Sequence, residues 1–274
     1  MVSWKSSLFV LVVVALLCVQ QNSVAGAPSL TLIADPVTND LQPAARPYTT
    51  NTLKNILQAA ATIHRCTATV LNPNWLLTSG HCTTGLGPFD TLSIVCGVRI
   101  YRTVEQIVPH PNNSVQGPMG SMASDLALLR MRKALNFTSN VQPIPVYDGA
   151  ELPDAKVTIA SFGRSDDGST WWNPLLQIME GTILPTCACH LRLGPGLAAY
   201  LTDANICTDY GDWGEPCVWC DSGAPVMLAT ELQPYNLLAV SSWTVAPSDA
   251  FGCLSVHVRV ASHLDWILGV IAVN

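Results

Sequence analysis

Past about residue 60 the apolar positions fall in short runs separated by turn residues, a spacing that belongs to strands. In the first half these runs cover residues 67–71, 75–78, 92–95, 98–101 and 126–131. Asn72-Pro73-Asn74, Gly85-Leu86-Gly87-Pro88 and Pro109-His110-Pro111 separate them, and such residues punctuate rather than continue a strand. The second half repeats the style at residues 156–161, 177–184, 226–228, 237–243 and 256–260, with Gln142-Pro143-Ile144-Pro145 as the linker between halves. Only the C-terminal stretch carries helical spacing, with Leu264, Ile267, Leu268 and Ile271 behind Ser262 as cap. The pattern predicts an all-β protein of two β-barrels closed by a C-terminal α-helix over about residues 262–272.

The first 51 residues read differently. A basic start ending at Lys5, an apolar run to Val19 and small residues around Ala25-Gly26-Ala27 predict a signal peptide over residues 1–25. The rival reading is a membrane anchor, but the run from Leu8 to Val19 is shorter than the ~20 apolar residues a bilayer requires, and Gln20, Gln21 and Asn22 end it. Residues 26–51, rich in Pro and Thr, read as a pro-segment or N-terminal arm. The expected mature protein is secreted, extracellular and free of membrane after signal removal.

Charge narrows the partners. The chain carries 13 basic and 19 acidic side chains, a formal charge of −6, and no basic cluster, which argues against nucleic acid. It contains ten cysteines, one of them Cys18 in the leader. In an exported chain the rest read first as disulfides, and their odd number leaves at least one thiol free or bonded to another molecule. Asn112-Asn113-Ser114 and Asn136-Phe137-Thr138 are glycosylation sequons, consistent with export and surface loops.

Candidate chemistry resides in three short motifs: Ser79-Gly80-His81-Cys82, Ser124-Asp125-Leu126-Ala127-Leu128-Leu129, and Cys220-Asp221-Ser222-Gly223-Ala224-Pro225. A serine hydroxyl is a poor nucleophile at neutral pH. Acyl transfer needs an imidazole base beside it and a carboxylate to fix that base's tautomer. His64, His110, His190, His257 and His263 lack such a setting and read as structural histidines.

With these motifs in this order, the chain resembles the chymotrypsin-fold, trypsin-like serine proteases (peptidase family S1), from about Thr62 to the C-terminus. The resemblance implies two six-stranded antiparallel β-barrels in a peptidase domain over residues 52–274, barrel one at about 52–141 and barrel two at about 155–260. It implies a secreted serine endopeptidase with His81, Asp125 and Ser222 as catalytic residues, no cofactor and no metal. Its partners would be a protein or peptide substrate and protease inhibitors, and the chain would be a monomer. Cys66–Cys82 would close the histidine loop, worth about 3 kcal/mol by chain entropy. Cys207 would pair with Cys187 or Cys189, and Cys217 with Cys253. Ser161-Phe162-Gly163 resembles the family's Gly-Trp-Gly segment, and Val240-Ser241-Ser242-Trp243 resembles the strand that pairs with substrate backbone.

The chain also departs from the family. Cys220 stands where the family has an oxyanion-hole glycine, so the donors would be the Cys220 and Ser222 amides; loss of one such donor costs about 2.7–4 kcal/mol of transition-state stabilisation. The loop from Cys217 to Ser222 is one residue longer than usual. By resemblance Glu215, or equally Pro216, would fall near the charged base of the specificity pocket, and Thr244 and Ser255 replace wall glycines, implying a pocket narrowed for small side chains or partly blocked. No activation start of the family's kind is readable upstream of Cys66, so either Asp221 would need an internal partner, with Arg164 as the candidate, or the pocket would stay unformed. These departures sustain a second reading, a catalytically weak or inactive homologue acting as a binding or regulatory protein. A third takes Cys187-Ala188-Cys189-His190 with Cys217-Val218-Trp219-Cys220 as a zinc site. Against zinc stands a bridge from Cys220 to Cys187 or Cys189, with Cys96 as the odd thiol.

Overall fold

Two closed six-stranded barrels form the molecule, both antiparallel throughout. A computed structural model describes residues 60–63, 66–86, 93–96, 100–113, 122–138, 141–150, 152–161, 177–210, 222–230, 235–245 and 254–273. The proposed signal peptide and arm lie outside these residues. Barrel one contains β1 (Ala60–Ile63), β2 (Cys66–Val70), β3 (Trp75–Thr78), β4 (Ser93–Cys96), β5 (Ile100–Pro109) and β6 (Ala127–Met131), closed in the order β1-β2-β3-β6-β5-β4. Barrel two contains β7 (Lys156–Ser161), β8 (Gln177–Ile183), β9 (Asn205–Asp209), β10 (Pro225–Leu228), β11 (Asn236–Val245) and β12 (Leu254–Arg259), in the order β10-β11-β12-β9-β8-β7.

Why some strands read as unbroken apolar runs follows from what lies on each side. Ala68, Val70, Leu76, Leu129 and Met131 pack with Val104, Leu135 and Val141 into one core. The alternate residues of the same strands, Trp75, Leu77 and Leu128, turn outward and join Met227, Val240 and Val258 of the second barrel. Strands β3 and β6 are therefore buried on both faces, which removes the polar alternation of a half-exposed strand. The seam continues into the C-terminal helix α2 (Leu264–Val273) through Ile267. Val157, Ile159, Ile206, Val226 and Leu238 form the core inside barrel two.

One expectation needs correction, that helix is confined to the C-terminus. Helix α1 spans Thr186–Ala198, after Pro185, with Cys189 and Leu193 buried. Gly194 breaks it at φ 69°, ψ 169°, and Pro195 starts the turn that follows. A Gly-Pro pair in its middle and threonine, cysteine and histidine in its first turns hide it, because those residues are weak helix formers. Cys189 and Leu193 at four-residue spacing are the signal that marks the inner face of the part before the break. Strands β1 and β9 and most of β5 also escape a search for apolar runs. Their residues are mixed, and it is pairing with neighbours that makes them strands, as with Ala61 between Ala68 and Cys96.

Candidate active site

The register of β3 on β6 creates the site. Thr78, the last residue of β3, lies opposite Ala127, the first of β6. Three residues past Thr78 comes His81, and two before Ala127 comes Asp125, so the pairing delivers imidazole and carboxylate to one barrel end. A short 3-10 helix, Gly80–Thr83, carries His81 and is closed by Thr83 Oγ1 donating to the Gly80 carbonyl at 2.8 Å. The Cys66–Cys82 disulfide fastens that helix to the start of β2.

Asp125 is 7% exposed and satisfied on both oxygens. Oδ1 accepts the His81 backbone N–H at 2.8 Å, and Oδ2 accepts from His81 Nδ1 at 2.7 Å. Ser242 Oγ also donates to Oδ2, at 2.5 Å, from β11 of the other barrel. Burial alone would raise the Asp125 pKa, but hydrogen bonds and charge from His81, with the Ser242 hydroxyl, outweigh it and hold the carboxyl below its ordinary value. Asp125 therefore stays ionised at neutral pH and keeps the proton of a neutral His81 on Nδ1, leaving a lone pair on Nε2, which lies 3.9 Å from Cys82 Sγ.

Ser222 arrives from barrel two, on the turn preceding β10. Its carbonyl accepts from Thr67 N at 2.9 Å, and Gly223 N donates to the Ser241 carbonyl at 2.7 Å. Gly223 is required here. Its φ is +84°, and a Cβ would sit 2.0 Å from the Thr67 oxygen and 2.3 Å from Thr78 Oγ1. The hydroxyl of Ser222 donates to the Ser242 carbonyl at 3.2 Å. Among the described residues no hydrogen bond joins Ser222 to His81, and none accepts the Ser222 amide. Ser79 Oγ donating to the Ser241 carbonyl at 2.6 Å ties the two barrels together beside the site.

Ser242, expected from the resemblance on the strand that pairs with substrate, has two contacts that this expectation does not include: its carbonyl holds Ser222, and its side chain holds Asp125. Two consecutive serines, Ser241-Ser242, inside an otherwise apolar strand are the only hint. Farther along, Thr244 and Ser255 face each other on β11 and β12 and share a hydrogen bond of 2.8 Å between hydroxyls. Trp243 sits between Ser242 and Thr244, half-buried. Asn112 and Asn136 are exposed. Glu215, Pro216, Cys217, Cys220, Asp221, Arg164 and Cys253 lie outside the described residues.

The cysteines exclude the zinc arrangement. Cys189 is bonded to Cys207, and Cys187 is also disulfide-bonded, so neither sulfur is a thiolate ligand. Since Cys189 is taken by Cys207, the alternative Cys189–Cys220 bridge is ruled out with it. Cys66 and Cys82 approach His81 closely, but their sulfurs too are spent in a disulfide.

The trypsin family model matches residues 42–267, and the chain belongs to the trypsin family of serine proteases, whose members act on protein substrates. It is 25% identical over 214 residues to serine proteinase stubble of Drosophila melanogaster, a match covering 75% of this chain and 27% of that protein. With trypsin-1 of Astacus astacus it shares 25% over 221 residues, 74% of this chain and 86% of that one. Neuropsin, a serine protease expressed in the limbic system of mouse brain, has the same fold at a TM-score of 0.65 and 20% identity, over 78% of this chain and 95% of its own. Kallikrein-related peptidase 10 aligns at 0.63 with 21% identity, over 81% and 98% of the two chains. No helix among the described residues is long and apolar enough to cross a membrane.

Proposed function

We propose that the chain is a secreted serine endopeptidase that cleaves peptide bonds through an acyl-enzyme on Ser222. The observation that carries the reading is the shared anchor at Ser242, which holds Asp125 with its hydroxyl and Ser222 with its carbonyl while Asp125 holds His81. For attack, Ser222 Oγ leaves the Ser242 carbonyl and turns to His81 Nε2. The hydroxyl proton passes to Nε2 as Oγ bonds to the peptide carbon; His81 then gives that proton to the departing amine as the C–N bond breaks. Water repeats the sequence to free the acid. The Ser222 amide, which has no acceptor among the described residues, would be one oxyanion donor, and the Cys220 amide would be the second. Thr244 and Ser255, read as pocket-wall residues, share a hydrogen bond, and on that reading the pocket would favour a small side chain at the cleaved residue.

Labelling with a fluorophosphonate, followed by peptide mapping, tests this reading. Wild type should be labelled at Ser222 and the Ser222→Ala variant should not; a folded wild type that stays unlabelled overturns it. The second reading, a protease-like binding protein, is favoured by one observation, the Ser222 hydroxyl bonded to the Ser242 carbonyl rather than to His81. Failed labelling with retained binding of a protease inhibitor is its signature.

A further inference from the structure

His110 and His263, far apart in sequence, meet beside the Asp125 segment. His110 follows β5, and His263 ends the 3-10 helix Val260–His263 that leads into α2. Their rings pack edge to face with centroids 4.8 Å apart, and Trp266 of α2 covers His110 at 4.7 Å. Every ring nitrogen has a partner. Asn112 N–H donates to His110 Nδ1 at 3.2 Å, His110 Nε2 and His263 Nδ1 are 3.3 Å apart, and His263 Nε2 lies 2.8 Å from the Ala123 carbonyl.

These partners fix the protons. A backbone N–H can only donate, so His110 Nδ1 is unprotonated and its hydrogen is on Nε2. That hydrogen goes to His263 Nδ1, and the His263 hydrogen is therefore on Nε2, donating to Ala123 O. The chain of bonds is complete only while both rings are neutral. A further proton must land on His110 Nδ1, facing the Asn112 N–H, or on His263 Nδ1, facing the His110 donor, and either breaks a link.

The ends of this chain reach the proposed machinery on three sides. Ala123 is two residues before Asp125. The His110 backbone N–H donates to the Leu126 carbonyl, one residue after Asp125, at 2.9 Å. Asn113, whose own N–H donates to the His110 carbonyl at 2.8 Å, places its side-chain amide against Gly80, where a Cβ would meet Nδ2 at 2.0 Å. Gly80 precedes His81.

We infer that the His110–His263 pair is a positioning element, an uncharged clamp that holds Asp125 against His81 and releases it when either ring takes a proton. The inference rests on the proposed catalytic roles of those two residues. Burial lowers the pKa of His110, helped by repulsion from His263; burial also lowers that of His263, against the pull of the Ala123 carbonyl. The elements packed on the pair bring Trp266, Ala123 and Asn112, and among the described residues no carboxylate acts on either ring; Asp125 is engaged by His81 and Ser242. The pair thus stays neutral at neutral pH and opens in acid.

The test uses the full chain as wild type, His263→Phe and His263→Gln, between pH 8 and 5. It reads two signals: the low-field NMR resonance of the proton between His81 and Asp125, and the rate of fluorophosphonate labelling. Phe removes the bond to Ala123 O and should slow labelling about tenfold and weaken the resonance, since small misplacements of reacting groups cost this much or more. Gln supplies an uncharged amide donor to Ala123 O. It should recover most of the rate at pH 8 and show a shallower acid decline than wild type, because one titrating site is gone. Folded variants with an unchanged resonance, or Phe and Gln indistinguishable at every pH, overturn the clamp. If His263→Phe does not fold, the wild-type imidazole nitrogen spectrum decides: unprotonated Nδ1 and protonated Nε2 on both rings support the clamp, and any other tautomer overturns it. A wild type that is never labelled refutes the enzyme reading alone, since the resonance still reports on the clamp.

Discussion

Asp125 and His257 are both buried titratable side chains, 7% and 0% exposed, and their surroundings treat them in opposite ways. Asp125, at the seam between the barrels, receives three donors and is held charged. His257, on β12 within barrel two, has one partner, Thr208 Oγ1 at 2.7 Å from Nε2, and its Nδ1 has none. Burial drives its pKa down to about 3, so it is neutral throughout the ordinary range. A buried charge persists only where donors replace its water, and at Asp125 two of the three come from His81 and the third from Ser242 across the seam. The seam thus keeps an ionised Asp125 out of solvent, whereas the interior of barrel two keeps His257 neutral.

Removing the charge while keeping the shape is the severest test of that contrast. Asp125→Asn should keep the fold and lower the rate of Ser222 labelling by about 10⁴-fold, because an amide at this position stabilises the wrong His81 tautomer. A loss of under tenfold would mean that Asp125 does not orient the base. Ser242→Ala is milder. It deletes one of three donors, so the Asp125 pKa should rise toward its ordinary value, and a hydrogen bond to a charged group is worth about 2 kcal/mol. The pH at which the His81–Asp125 proton resonance disappears reports this; no upward shift would show that His81 alone keeps the carboxylate charged.

How far the sequence disclosed this arrangement differs from part to part. The apolar runs at Trp75-Leu76-Leu77 and Leu126-Ala127-Leu128-Leu129 are continuous because both faces are buried, and so they are legible as strands. The flanking His81 and Asp125 stand out for the same reason, as polar groups at the ends of such runs. The hold of Ser242 on Asp125 is not legible, since it depends on a contact 117 residues away in sequence. The His110–His263 pair is hidden likewise, as 153 residues separate partners that local patterning treats one at a time. Helix α1 is masked by Gly194-Pro195, and its inner face is set by the Cys189–Cys207 bridge and by packing on β12.

The smallest effect concerns acid stability, where the two buried groups separate by pH. His257 has a folded pKa of about 3 against 6.5 in the unfolded chain, so as pH falls below 6.5 the unfolded chain takes up the proton first. Stability contributed by the neutral ring is present above that value and is lost as pH falls toward 3. While only the unfolded state is protonated, the folding constant should drop about tenfold per pH unit. His110 and His263 have the same sign, their pKa values being lowered as well. Asp125, whose folded pKa is depressed, loses its stabilising contribution only as pH falls below its ordinary 3.8. Urea unfolding between pH 7.5 and 4.5 should therefore show a steady decline owed to the histidines, with Asp125 silent. His257→Gln should flatten that decline and Asp125→Asn should leave its slope unchanged; the reverse pattern would place the acid sensitivity at the seam and undo the contrast.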